Sequence, residues 1–304
     1  MDTKKIWISS IEEAAEIGAK NNISAISVYG AEFDEIARSE EKLLALDLMA
    51  LKSELGVVPL LRNGNCNYSG LAQEKMEFRH VGFKQIGIDV DRFLIIRESA
   101  GLASKTSDRD EFLIALNSMQ QDMHKSMGSD FFVIPELTGE IETHLRFFDS
   151  HPNIPFYIEA AVGVLKYLGL DNDIPEIRLS ARGYTGDLAK RFSDDLAEAY
   201  FFDSPFLTQD LAPDPDRNTG RVREFFNASA GNDVHLLLIG DSHSYSGFAT
   251  VFSFFLKRVS FFWASRASKY GGLAEEVRSI AEKADVTIEE QSERFFLRNF
   301  GKPI

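Results

Sequence analysis

Cysteine is nearly absent: Cys66 is the only one in 304 residues. That excludes an internal disulfide framework and any site built on paired thiolates, and it leaves the redox compartment open. Long apolar runs are missing too. Nothing approaches the ~20 residues of a membrane-spanning helix. The start, from Met1 to Glu12, lacks the apolar core of a signal peptide. This fits a cytoplasmic chain as written, or the trimmed soluble part of a periplasmic or exported protein. Positive charge is in deficit, with 33 Lys and Arg against 47 Asp and Glu, a formal net charge of −14. Nucleic-acid binding needs a basic face, so no nucleic-acid partner is expected. There is no Walker loop and no paired-cysteine or H-E-x-x-H metal signature. Gly183-Tyr184-Thr185-Gly186 lacks the third glycine of a dinucleotide fingerprint. No cofactor is expected. Internal repeats and low-complexity tracts are absent, and Asn67-Tyr68-Ser69 and Asn227-Ala228-Ser229 match the glycosylation triplet only as often as chance allows.

What is present is enough apolar material for a full core, 44% of residues with 25 phenylalanines. The first 75 residues read as alternating elements. A short strand at 5–8 precedes a helix with a Ser10/Glu13 capping box that runs to Lys20. A strand at 23–29 follows. Ser39 then caps a leucine-rich helix that extends to Leu55 and stops at Gly56, before a strand at 57–61. This β-α-β-α-β order predicts a parallel sheet. The turn-rich stretch 62–70 marks a boundary, dividing an N-terminal α/β segment, 1–75, from a larger domain, 76–304. Beyond it the pattern predicts a strand at 92–97, a helix at 110–127, a strand at 131–137 and a helix at 154–169. A loop at 204–220 holds three of the nine prolines. It reads as a surface connection, with a lid or rim as the functional alternative.

The most informative stretch is Val234 to Ser244. Leu236 to Ile239 form a continuous apolar run, the mark of a buried parallel strand. The run stops at Gly240-Asp241-Ser242, and a helix-like segment covers 246–257. A serine on a sharp strand-to-helix turn has an exposed hydroxyl, with backbone N–H groups placed to hold an oxyanion. Gly-Asp-Ser also makes an ordinary turn and helix cap, so the motif needs a base to mean chemistry. Of the six histidines, His151 stands out, in Phe148-Asp149-Ser150-His151-Pro152. In an extended segment, residues two apart point the same way, so Asp149 can orient His151. His243 is the competing base, but neighbours on a tight turn point apart, which favours His151. His144, Asp149 and His151 offer a metal-binding alternative that leaves the serine turn unexplained, so no metal is expected.

These landmarks come in a telling order: Asp149-x-His151, a helix, Gly186-Asp187-Leu188, the strand ending at Ser242, a final strand at 286–290, then Glu293-Arg294. In that order and spacing the chain resembles the alginate O-acetyltransferase branch of the SGNH hydrolase and acyltransferase superfamily. Pro152 departs from it, standing where the family usually has Trp, and the first 75 residues match nothing in it. The resemblance implies an α/β, SGNH-like (flavodoxin-like) doubly wound parallel sheet, here with an N-terminal α/β extension. It also implies ping-pong acyl transfer, with Ser242 as nucleophile, His151 as base and Asp149 fixing the imidazole. The partners would be an acyl donor and a carbohydrate acceptor. Ser265 and Arg266, after the strand 259–264, are the expected substrate contacts, with Lys269 and Tyr270 nearby. The same triad would serve a carbohydrate acetylesterase, and a non-catalytic glycan-binding or assembly protein could keep the fold. The family works outside the cytoplasm, which the start of this chain does not anticipate.

The charge generates a testable expectation. An average surface this acidic repels polyanions over a Debye length of about 8–10 Å, which slows their encounter. Neutral oligosaccharides should therefore be better acceptors than uronic-acid oligomers, in kcat/KM more than in kcat. Acetyl transfer to both sets at low and moderate salt measures this. A preference for the anionic set that weakens as salt rises would overturn it.

Overall fold

A computed structural model describes residues 6–8, 24–27, 49–53, 56–62, 81–96, 132–133, 146, 149, 151–170, 175–186, 197–203, 206–212, 218, 220–264 and 274–292. The protein is of the α/β class. Its main sheet has seven strands in the order β6-β5-β13-β11-β12-β10-β9. In chain order these are β5 (Arg92–Ile96), β6 (Phe132–Val133), β9 (Leu207–Leu211), β10 (Val222–Phe226), β11 (Asn232–Gly240), β12 (Leu256–Trp263) and β13 (Val286–Ser292). From β6 to β12 each neighbouring pair is parallel, while β10 and β9 add on antiparallel. The sheet is thus mixed, where a wholly parallel one was expected. The difference comes from β10, antiparallel to β12, and from the proline-bearing stretch 204–220, read as a plain loop. Its residues Leu207–Leu211 form an edge strand against β10, and every one of them is exposed. A strand with no buried face has no alternation to betray it.

β11 is the centre of this sheet. Leu236 and Leu238 face a core shared with Val259 and Phe261 of β12, Ile288 of β13, and two helices, α1 (Ile154–Tyr167) and α2 (Ala249–Phe255). Leu237 and Ile239 alternate to the other face and are equally buried. Burial on both faces is why the strand reads as an unbroken apolar run.

α1 begins at Asn153, whose side-chain oxygen accepts the Ile154 N–H at 3.1 Å and also the Tyr200 N–H at 2.9 Å. Tyr200 lies on β8 (Ala197–Phe202), which forms an antiparallel pair with β7 (Leu179–Tyr184). One buried amide thus fixes the helix start to that pair. At the far end Gly169 takes a φ of 69°, and Leu170 N–H returns to the Leu165 carbonyl at 2.8 Å. This closing geometry favours glycine. The segment after β11 is more elaborate than an α-helix. Ser244–Phe248 form a π-helical turn that runs into α2, and Leu256 and Lys257 belong to β12 rather than to the helix expected across them.

The N-terminal strands β1 (Ile6–Ile8), β2 (Ser24–Ser27), β3 (Met49–Ser53) and β4 (Gly56–Arg62) form a separate sheet, ordered β1-β4-β3-β2. Only β1 and β4 are parallel. This corrects the parallel reading and the helix to Leu55. Met49, Ala50 and Leu51 lie opposite Leu60, Pro59 and Val58, and two residues separate Ser53 from Gly56. Hairpin pairing has overridden local helix propensity, so Gly56 opens a strand instead of ending a helix. The expected helices at 10–20 and 110–127 lie outside the described residues. A further helix, α3 (Ala274–Ala281), precedes β13. Among the described residues no helix is long and apolar enough to cross a membrane.

Close packing of α1 on the π-helical turn yields a stability expectation. A β-carbon on Gly247 would run into the ring of fully buried Tyr157. Gly247→Ala should cost roughly 1–3 kcal/mol, as overpacking of a tight core does. Denaturant unfolding checks this; an unchanged midpoint would mean that the helices slide apart without penalty.

Candidate active site

The site is assembled at the C-terminal end of β11 from three separate stretches of chain. The first is the Asp149–Asn153 connection into α1. Asp149 has no exposed surface, and its Oδ1 accepts two bonds from His151, one from the backbone N–H and one from ring Nδ1–H, each at 2.8 Å. The carboxylate therefore holds both the backbone and the ring of the same residue. An ionised carboxylate can only accept, so Nδ1 carries a proton, and in the neutral ring Nε2 carries the lone pair. The His151 side chain is 15% exposed. Burial by itself would raise the Asp149 pKa. The bonds and charge of His151, with a further hydrogen bond from Tyr184, outweigh that and lower it from 3.8 to about 2.

The second stretch is the turn after β11. Ser242 follows Gly240 and Asp241 and is half-buried. Asp241 Oδ1 accepts the His243 N–H at 2.8 Å, bending the chain into the π-helical turn. The His243 ring is fully buried, and its centroid lies 4.7 Å from that of His151. Its Nδ1 is 3.1 Å from the hydroxyl of Tyr157 on α1. The turn feeds directly into helix, and the His243 ring lies inward, tilted by 39° beside that of His151. Burial pushes the Tyr157 phenol well above its ordinary value of 10.0, and nearby Glu290, Asp149 and Asp241 add to the push against the opposing Arg146 charge. Tyr157 is a neutral hydrogen-bonding wall.

The third stretch is the end of β13. Glu290 Oε2 accepts the Asp241 N–H at 3.1 Å and the Ser244 hydroxyl at 2.6 Å. Glu290 and Tyr157 were not singled out from sequence. A run of Glu289-Glu290-Gln291 reads as a solvated strand end, and a tyrosine among apolar helix residues reads as core. The signal that was available is Gly240, which only a close approach from a neighbour explains. Arg146 is buried near the same place, with its guanidinium 5.2 Å from the Tyr184 ring and 5.6 Å from the Phe201 ring.

The structure thus brings Asp149 onto His151, and His151 beside the immediate neighbour of Ser242. The expected contacts Ser265 and Arg266 lie outside the described residues, with Lys269, Tyr270, His144, Asp187, Leu188, Glu293 and Arg294. Among the described residues no group of three or more His, Cys, Asp or Glu is placed to hold a metal ion.

No protein-family profile matches the chain, and no curated relative matches it in sequence. Its backbone is similar to that of a DHHW family protein from Eubacterium siraeum, with a TM-score of 0.55 at 10% identity, over 84% of this chain and 92% of that one. Weaker likenesses run to two others. PatB1 of Bacillus cereus, solved with a sulfonyl adduct, gives a TM-score of 0.48 at 10% identity, over 79% and 95% of the two chains. The O-acetyltransferase domain of Pseudomonas putida AlgJ gives 0.39 at 15% identity, over 77% and 87%. Identities this low speak to fold alone.

The depressed Asp149 pKa sets a pH signature. A lowered carboxylate contributes stability above its unfolded value near 3.8, and loses it as pH falls through about 2. The contribution at neutral pH is about 2 kcal/mol. Urea unfolding from pH 5 to pH 2 should show the wild type losing about 2 kcal/mol more than Asp149→Asn, since the other carboxylates titrate alike in both. Parallel curves for the two proteins would contradict the Asp149–His151 coupling.

Proposed function

We propose that the protein is a serine-dependent acyltransferase that moves an acetyl group to a carbohydrate hydroxyl through an acyl-Ser242 intermediate. One observation carries the reading. Asp149 fixes the Nδ1–H tautomer of a partly exposed histidine whose ring lies 4.7 Å, centroid to centroid, from that of the residue next to Ser242. A serine on a tight turn and a histidine held as a base by a buried carboxylate make the arrangement that activates a hydroxyl nucleophile. The order of motifs, which resembles the alginate O-acetyltransferases, supplies acetyl as the acyl group and a sugar as the acceptor. The fold shared with the DHHW family protein is compatible with this.

The chemistry follows from the residues. Ser242 Oγ attacks the carbonyl carbon of the acyl donor while His151 Nε2 takes its proton. Asp149 stabilises the imidazolium without itself becoming protonated. The carbonyl oxygen becomes an oxyanion, and the Ser242 N–H is the donor set to receive it. Three bonds brace the turn through Asp241 N–H, His243 N–H and the Ser244 hydroxyl, and none of them uses the Ser242 N–H. Collapse breaks the bond to the leaving group, which takes the proton back from His151. A sugar hydroxyl then attacks the acyl-serine, again giving its proton to Nε2, and the second collapse returns that proton to Ser242. Water in place of the sugar would make the protein an esterase, so the outcome depends on acceptor binding and water exclusion.

Ser242→Ala and His151→Ala should each lower turnover of 4-nitrophenyl acetate by about a thousandfold or more. The double variant should be little worse, since the groups act as a unit. Asp149→Asn should also be severe, because it favours the wrong tautomer. Near-normal turnover in Ser242→Ala would place the nucleophile elsewhere. Loss in His243→Ala but not in His151→Ala would reassign the base. Release of acetate with no acceptor labelled would favour the esterase, and no turnover by a folded wild type would favour a binding protein.

A further inference from the structure

Glu290 is nearly fully buried, yet the proton transfers above do not use it. β13 runs parallel to β11 with Ile239 opposite Glu289, so Glu290 comes level with Gly240 at the mouth of the turn. Glu289 and Gln291 alternate away from it and bond each other, Gln291 Nε2 to Glu289 Oε1 at 3.1 Å. Glu290 alone enters the turn. There its Oε2 holds the Asp241 N–H and the Ser244 hydroxyl, the groups that flank Ser242 on either side. A β-carbon at residue 240 would land on both Ser244 Oγ and Glu290 Oε2, so the approach exists only because that residue is glycine.

We propose that Glu290 is a positioning residue for Ser242, clamping the Gly240–Ser244 turn from beneath so that the serine hydroxyl and its N–H face the acyl donor. The proposal rests on the acyl-transfer reading of Ser242. Two features fit the role. The clamp acts on the residue before the nucleophile and on the one two positions after it, and so fixes its backbone direction without occupying its hydroxyl. Its carboxyl also meets that of Asp241, itself buried and holding the His243 N–H. Two carboxyls this close in a dry site cannot both ionise easily, so one keeps a proton between them. Burial, and then the Asp241 charge, push Glu290 well above the ordinary glutamate value, which assigns the retained proton to Glu290. The groups acting on it are Asp241 and Ser244 from the turn; Tyr157 of α1 feels the charges of Glu290, Asp241, Asp149 and Arg146 and bonds His243. Tyr157 titrates at higher pH still than free tyrosine, so it holds no competing charge.

The sign of the pH effect follows. With a raised carboxyl pKa, the clamp is intact at low pH and is lost as pH rises through the folded value, when Glu290 and Asp241 repel. Glutamine copies the protonated form: its carbonyl can accept from Asp241 N–H and Ser244, and its amide can donate to the Asp241 carboxylate. Glu290→Ala should therefore lower kcat on 4-nitrophenyl acetate about 100-fold, the scale of a misplaced nucleophile, with KM changed less than about threefold. Glu290→Gln should restore most of that loss and should lack the fall of the wild-type kcat as pH rises through the Glu290 titration. Labelling of Ser242 by a fluorophosphonate should follow the same pattern. A folded Glu290→Ala with wild-type kcat and labelling overturns the proposal. So does a Glu290→Gln as poor as Glu290→Ala, or one that keeps that fall. If Glu290→Ala does not fold, the Glu290→Gln profile decides alone. Should Ser242→Ala itself keep full turnover, the acyl-transfer reading fails, an outcome distinct from any of these.

Discussion

A side chain on Gly240 would occupy the space that Ser244 Oγ and Glu290 Oε2 share, and the arrangement at the mouth of the sheet depends on that space being left open. Through it β13 reaches the turn, the turn bends at Asp241, and His243 folds inward against Tyr157 and His151. The same packing principle appears one turn later, where Gly247 admits the Tyr157 ring. Two glycines seven residues apart let a strand, a turn and a helix approach more closely than side chains would permit. The site is therefore held by buried contacts from three directions, which suits groups that must keep one geometry.

Electrostatics at this place is managed by separating roles among acidic groups. Asp149 is held ionised by the histidine it orients, while Glu290 is driven toward its neutral form by burial and by Asp241. One carboxyl supplies charge and the other supplies a hydrogen bond without charge. Both are buried, and their neighbours alone distinguish them. The acidic surface of the chain as a whole, with its net charge of −14, has no bearing on this local division.

Much of this was legible in the sequence where burial or capping leaves a pattern. The run Leu236 to Ile239 announces a strand covered on both faces, and Asn153 with Gly169 delimits α1 to within a residue or two. Asp149 and His151 could be paired from their spacing because their contact is local. The rest was hidden for specific reasons. β9 buries no side chain, so its sequence looks like loop. β3, Met49 to Ser53, has helix-favouring residues, and its strand state comes from a partner across a hairpin. Glu290 meets the turn from a strand about 50 residues further along, and no local rule distinguishes a buried glutamate at a strand end from a solvated one. The contact of His243 with Tyr157 was hidden because local rules describe a turn in isolation, whereas this one continues into a helix.

That continuation has a consequence for the site itself. The π-helical turn closes with the Ala249 N–H on the Ser244 carbonyl, which takes in one residue more than an α-helical turn holds. A turn of that kind absorbs its extra residue with little change in the direction of the helix that follows, so Phe252 and Phe255 of α2 still face the core. What the extra residue changes is the turn itself, where Ser244 reaches Glu290 and Gly247 meets the Tyr157 ring. Deleting one residue between 244 and 248 would let the turn relax to ordinary helix and cost these contacts, with every core side chain of α2 still present. The length of this short turn is therefore as much a part of the site's specification as the identities of the residues that fill it.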